Sequence, residues 1–137
     1  MSTAPAPDPA PFDPHAFPAD LVAAQRQAAE LHAALHAHQT SLPWSREPHP
    51  GWPEVAERGR EHPGRAASPG WTPQEATRFD QLLVALRDAR AAVQGHPWWA
   101  RCRAEGIEGA DLVAARQALK HAPGAVPVAR GDVDAAA

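Results

Sequence analysis

Three histidines, His32, His36 and His38, lie close together, and the first two stand one helical turn apart, the spacing at which two imidazoles can share a metal ion. A metal centre needs a third ligand, which Glu30, His49 or His62 could supply only by folding back, and the HExxH arrangement that couples a base to zinc is absent. The histidines are therefore read as the polar flank of a helix, with no metal and no cofactor expected. Cys102 is the sole cysteine, so no intrachain disulfide can form. A nucleophilic thiolate needs a neighbouring base and a lowered pKa, and His96 is separated from Cys102 by a proposed helix start. A buried thiol beside Trp98 or Trp99 is the expectation. No GxSxG, P-loop, GxGxxG or kinase-type motif occurs, so the chain is not expected to be an enzyme.

Binding chemistry has more material. Five tryptophans stand in a chain poor in other large apolar residues and without tyrosine, and tryptophan is favoured both in cores and at contact hot spots. The residues picked out for interaction are Leu31, Leu35, Trp44, Trp52, Trp98 and Trp99. The partner is expected to be another protein or a second copy of the chain. A different class of function would use residues 97–121 as a helix-turn-helix, with Arg116, Gln117 and Lys120 presented to a DNA major groove. Glu105, Glu108 and Asp111 crowd the turn where phosphate contacts favour positive charge, so nucleic acid is the less favoured partner. The net charge of -3 also supplies no global attraction to DNA or anionic lipid. No segment approaches the ~20 apolar residues that span a bilayer, and the N-terminus has neither a basic region nor an apolar run. A cytoplasmic protein without membrane partners is expected.

These residues must be positioned by helices. Thr72-Pro73-Gln74-Glu75 spells a capping box with proline at the first helical position, and Trp71 and Ala76 are spaced as a hydrophobic staple. Phe79, Leu82, Leu83, Leu86, Ala89 and Val93 then recur at spacings of three and four, which predicts a helix over 72–94 that Gly95 and His96-Pro97 end. Pro97 opens a shorter helix over about 97–105, stopped by Gly106, and a further helix over about 109–121 ends at Pro123-Gly124. Upstream, positions 17, 21, 24, 28, 31, 35, 38 and 42 form a narrow, heptad-like stripe on a helix over about 18–40, stopped by Pro43.

The connection 43–70 is longer than compact domains usually leave without structure, so part of it must fold. Pro50-Gly51-Trp52-Pro53-Glu54 echoes Pro69-Gly70-Trp71-Thr72-Pro73, and the echo predicts a short proline-opened helix at 53–60, with Trp44 and Trp52 covering one end of the helices. Residues 1–16 alternate proline with small or acidic residues and read as a disordered tail, and 123–137 revert to Ala, Pro, Val and Asp and read as a second one. The fold class is all-α, a small three- or four-helix bundle over 17–122 with disordered Pro/Ala-rich termini.

Phe17-Pro18-Ala19-Asp20-Leu21-Val22-Ala23-Ala24-Gln25, then Leu82-Leu83-Val84-Ala85-Leu86, then His96-Pro97-Trp98-Trp99 resemble a group of small uncharacterised proteins of high-GC actinobacteria. That group carries FP-x-DL-x-x-AQ near its start and HP-aromatic-W later. The likeness touches roughly a third of the chain and departs at 43–70. It implies a source and transfers no activity and no catalytic residue.

Overall fold

The computed structural model describes residues 10–127; the expected tail residues 1–9 and 128–137 lie outside the described residues. The class is all-α: α1 spans Ala19–Thr40, α2 Pro73–Gln94, α3 Pro97–Ala104 and α4 Ala110–Leu119. One small antiparallel hairpin, β1 (Val55–Glu57) and β2 (Arg60–His62), lies between α1 and α2. Among the described residues no helix is long and apolar enough to cross a membrane. The described residues divide into two compact units, 10–29 with 90–127, and 30–89.

The core of the first unit is Leu21, Trp99, Cys102, Ala115 and Leu119, with Phe12, Phe17, Val22, Val93, Trp98, Ile107 and Leu112 packed against it. With so few large aliphatic residues, one indole fills the centre: Trp99 is 1% exposed, and its Nε1 donates to the Val93 carbonyl at 2.7 Å. Alanines let the helices close on it. His96 caps α3 in extended backbone geometry. Its Nδ1 accepts from the Trp98 amide at 3.0 Å, while its Nε2 lies 3.2 Å from Asp20 in the first turn of α1. One ring therefore satisfies an orphan amide and meets a carboxylate. At the other end of α3 the Gly106 amide donates to Arg103 and the Ile107 amide to Cys102, with Gly106 at φ +85°. This is a Schellman ending, and it turns Ile107 into the core.

Several local expectations hold at atomic detail. The Thr72 amide donates to Glu75 Oε1 at 2.9 Å and the Glu75 amide to Thr72 Oγ1 at 3.1 Å, a complete capping box. Thr72→Ala is expected to lower thermal stability by about 1 kcal/mol in a calorimetric scan. On α2, Leu82, Leu86 and Ala89 are buried and Phe79, Leu83 and Val93 half-buried, the face that the spacing marked. On α1, Leu21 and Ala28 are buried, and every other stripe position is half-buried.

Other expectations need correction. Residues 53–60 do not form a helix: after Pro53 and Glu54 they hold β1, the Arg58-Gly59 turn and the first residue of β2, the strands pairing across that turn. Trp71 also meets Phe79, at 5.0 Å between ring centroids, a partner with far more surface than Ala76. Gly95 does not take the left-handed conformation. Its amide bonds back to Ala91, and the chain leaves the helix after Gln94, with His96 going extended ahead of Pro97.

Part of each expected tail is also ordered. Phe12 stacks on Trp98 at 5.1 Å, the Pro14 carbonyl accepts from Trp98 Nε1 at 3.2 Å, and Ala125 is 1% exposed. Composition argued against order there, but an indole with an unsatisfied N–H and an open face recruits the neighbouring segment.

Candidate interaction surface

Proline shapes the second unit between its two helical segments. Residues 46–71 run out and back as a ribbon in a single antiparallel register, pairing Arg46 with Trp71, His49 with Ser68, Trp52 with Arg65 and Val55 with His62. The rungs recur every third residue. Pro48, Pro50, Pro53, Pro63 and Pro69 all fall between the rungs, where a residue without an N–H costs no pairing. Only beyond residue 54 does the ribbon become β-sheet.

The Pro-Gly-Trp echo marks the same device used twice. The Trp52 amide donates to the Arg65 carbonyl at 2.9 Å, and the Trp71 amide to the Arg46 carbonyl at 2.8 Å. The preceding glycines sit at φ +74° and +78°, and a Cβ on Gly51 would fall 2.2 Å from the Arg65 carbonyl oxygen. Glycine is required there by both conformation and space.

At its base the ribbon is fastened to α2. Arg46 donates two hydrogen bonds to Asp80, at 2.9 and 2.8 Å, and its guanidinium lies over the Trp71 ring. The Trp71 Nε1 donates to the Pro43 carbonyl. The hydrogen bond from Arg46 holds the Asp80 carboxyl below its ordinary range and pushes the guanidinium up. Because the Asp80 pKa is lowered on folding, the pair's contribution is present above the ordinary carboxylate range and is lost as pH falls through the lowered value. Wild type is therefore expected to lose ribbon anchoring in acid earlier than its helices melt. Asp80→Asn should remove that acid step from near-ultraviolet circular dichroism, which reads Trp71 directly.

Farther out, Trp44, His49 and Trp52 meet edge to face, with ring centroids 5.0 to 5.8 Å apart. The Arg65 guanidinium lies 4.7 Å above Trp44. Both indole N–H groups are already spent, Trp44 on the Ala66 carbonyl and Trp52 on the Pro63 carbonyl, and the Gly51 amide donates to His49 Nδ1. What the cluster offers to solvent is ring surface. Trp52 is 47% exposed, and residues 52–67 are exposed without exception.

The other residues picked out from sequence are placed differently. Leu31 and Leu35 are half-buried on α1. Trp98 is half-buried under Phe12, and Trp99 is the centre of the first core. Arg116 lies over the Trp99 ring at 5.2 Å, while Gln117 and Lys120 are exposed on α4. Trp44 and Trp52 are the two of the six interaction candidates that come together at a surface. Arg65 was not singled out and His49 only as a possible metal ligand, although the two complete their cluster; the Pro-Gly-Trp echo was the available clue. His32 and His36 are exposed, His38 Nε2 lies 3.0 Å from the Glu75 carbonyl, and no group of three potential ligands is placed to hold a metal ion among the described residues. Cys102 is fully buried, and burial pushes its thiol up. It is expected to stay inert to an aromatic disulfide reagent at neutral pH and to react fully once the protein is unfolded in guanidinium.

A family model described as a domain of unknown function (DUF8825) matches residues 20–122. No curated protein and no solved structure matches the chain.

Proposed function

We propose that this chain, which belongs to the family of unknown function matched over residues 20–122, is a non-catalytic interaction module whose contact surface is the ribbon arm at 44–68. The observation that carries this reading is the solvent-facing cluster of Trp44, His49 and Trp52 on a segment that buries almost nothing of its own. A two-stranded hairpin without a covered face is marginal in water, and exposed tryptophan is the residue type most enriched at contact hot spots. Charge favours a protein over a nucleic acid here: Arg46, Arg58, Arg60 and Arg65 are matched by Glu47, Glu54, Glu57 and Glu61. The helix-turn-helix alternative draws less support, since Arg116 is engaged with Trp99. An actinobacterial source, carried by the FP-x-DL-x-x-AQ and HP-aromatic-W residues, and a cytoplasmic location belong to the same reading.

The test is a pair of substitutions at exposed apolar positions, Trp52→Ala on the arm and Val113→Ala on α4. Chemical cross-linking in the native host should give adducts with wild type and Val113→Ala and none with Trp52→Ala, whose melting temperature stays within about 3 °C of wild type. Adducts that survive Trp52→Ala would refute the assignment.

A further inference from the structure

Resting on the reading of the arm as a contact surface, we infer that its occupant is a second copy of this chain, paired antiparallel along the β1 edge about Ala56. Among the described residues β1 and β2 form a sheet of only two strands, so the outer edge of β1 has no partner strand, and all three of its residues are exposed. Such an edge is a template for another strand, and proteins commonly blunt it with like charges. Here the signs alternate in an order that suits the strand to itself. The run Glu54-Val55-Ala56-Glu57-Arg58 reads acidic at one end and basic at the other.

Two copies placed antiparallel with Ala56 on the dyad set Val55 of each opposite Glu57 of the other, and bring Glu54, just before β1, beside Arg58, the first residue of the turn that follows it. A twofold contact requires this reciprocity, in which residue i meets j and j meets i. A small residue at the centre lets the strands approach, and the one-residue shift that pairs Val55 with Ala56 would set Glu54 of each copy against Glu57 of the other. The arm as a whole carries four arginines and four glutamates, so no net repulsion opposes bringing two together. The β1 edge is favoured over β2 because Val55, on β1, and Trp52, three residues before it, are two of the five exposed large hydrophobic residues among the described residues. Pairing there adds apolar cover to the backbone hydrogen bonds, which an edge of three residues needs.

Sedimentation velocity on the full chain tests this. Wild type should show a concentration-dependent dimer. Glu54→Arg alone and Arg58→Glu alone should each raise the dimer dissociation constant at least about tenfold, since each sets two like-charged pairs across the dyad. Mixing the two variants restores both pairs, so the mixture should dimerise as wild type does, and so should the double variant Glu54→Arg/Arg58→Glu. These positions are exposed, and the recovery in the mixture shows that each single variant is folded. A wild type that stays monomeric to about 1 mM, or a dimer indifferent to both swaps, overturns the pairing. A monomer whose Trp52 nonetheless cross-links to another protein in cells leaves the arm as the contact surface and removes only the second copy. A dimer untouched by either swap and by Trp52→Ala removes both.

Discussion

Trp99→Ala is expected to lower the melting temperature of the first unit by about 10–20 °C in a calorimetric scan, corresponding to a loss of about 3–5 kcal/mol. The side chain is 1% exposed, is packed with Leu21, Cys102, Ala115 and Leu119, and carries Arg116 over one face and Phe17 at its edge. Its neighbours are small or already fixed on helices, so the cavity cannot collapse and most of the loss is felt. The Val93 carbonyl also loses its indole donor. Against a total of about 5–15 kcal/mol for a domain of this size, that single change approaches global unfolding. Trp99→Phe, which keeps most of the volume but not the N–H, should recover the larger part of the stability.

Gly51→Ala is expected to open the ribbon while sparing the helices. At φ +74° an alanine costs about 1–3 kcal/mol from backbone strain, and its Cβ, 2.2 Å from the Arg65 oxygen, forces apart the rung that seats Trp52. The near-ultraviolet signature of the Trp44–Trp52 pair should fall, and far-ultraviolet helicity should not. Gly59→Ala is the control. Gly59 has a similar φ of +80°, but nothing lies within 4 Å of its added Cβ, so only the conformational cost applies and the tryptophan signal should persist. Equal loss of that signal in both variants would mean that close backbone approach plays no part in shaping the arm.

Helices were legible where short-range chemistry decides. The capping box at Thr72 and the three-four spacing from Phe79 to Val93 depend on residues within a turn or two of each other, and the structure reproduces both. The ribbon was not legible, because its outer pairs are set by contacts up to 25 residues apart, as between Arg46 and Trp71, and at the local hairpin Pro53 and Glu54 resemble a helix start. The same distance hid the cap on α3. A histidine that accepts from Trp98 and also meets Asp20 in α1 carries no local signature. Of the candidate site, Trp44 and Trp52 could be named from residue type alone, but their separation from the core residues Trp98 and Trp99 required the fold. Composition cannot distinguish a tryptophan that fills a core from one that waits at a surface.

The arm, rather than a helix, is proposed as the place where this protein meets its partner. Replacing Trp52 with a photoreactive benzoylphenylalanine, with the same probe at Val113 as reference, and irradiating cells that express the full chain tests it directly. The account predicts an adduct from position 52 and none from position 113. An adduct from position 113 with none from position 52 would contradict it.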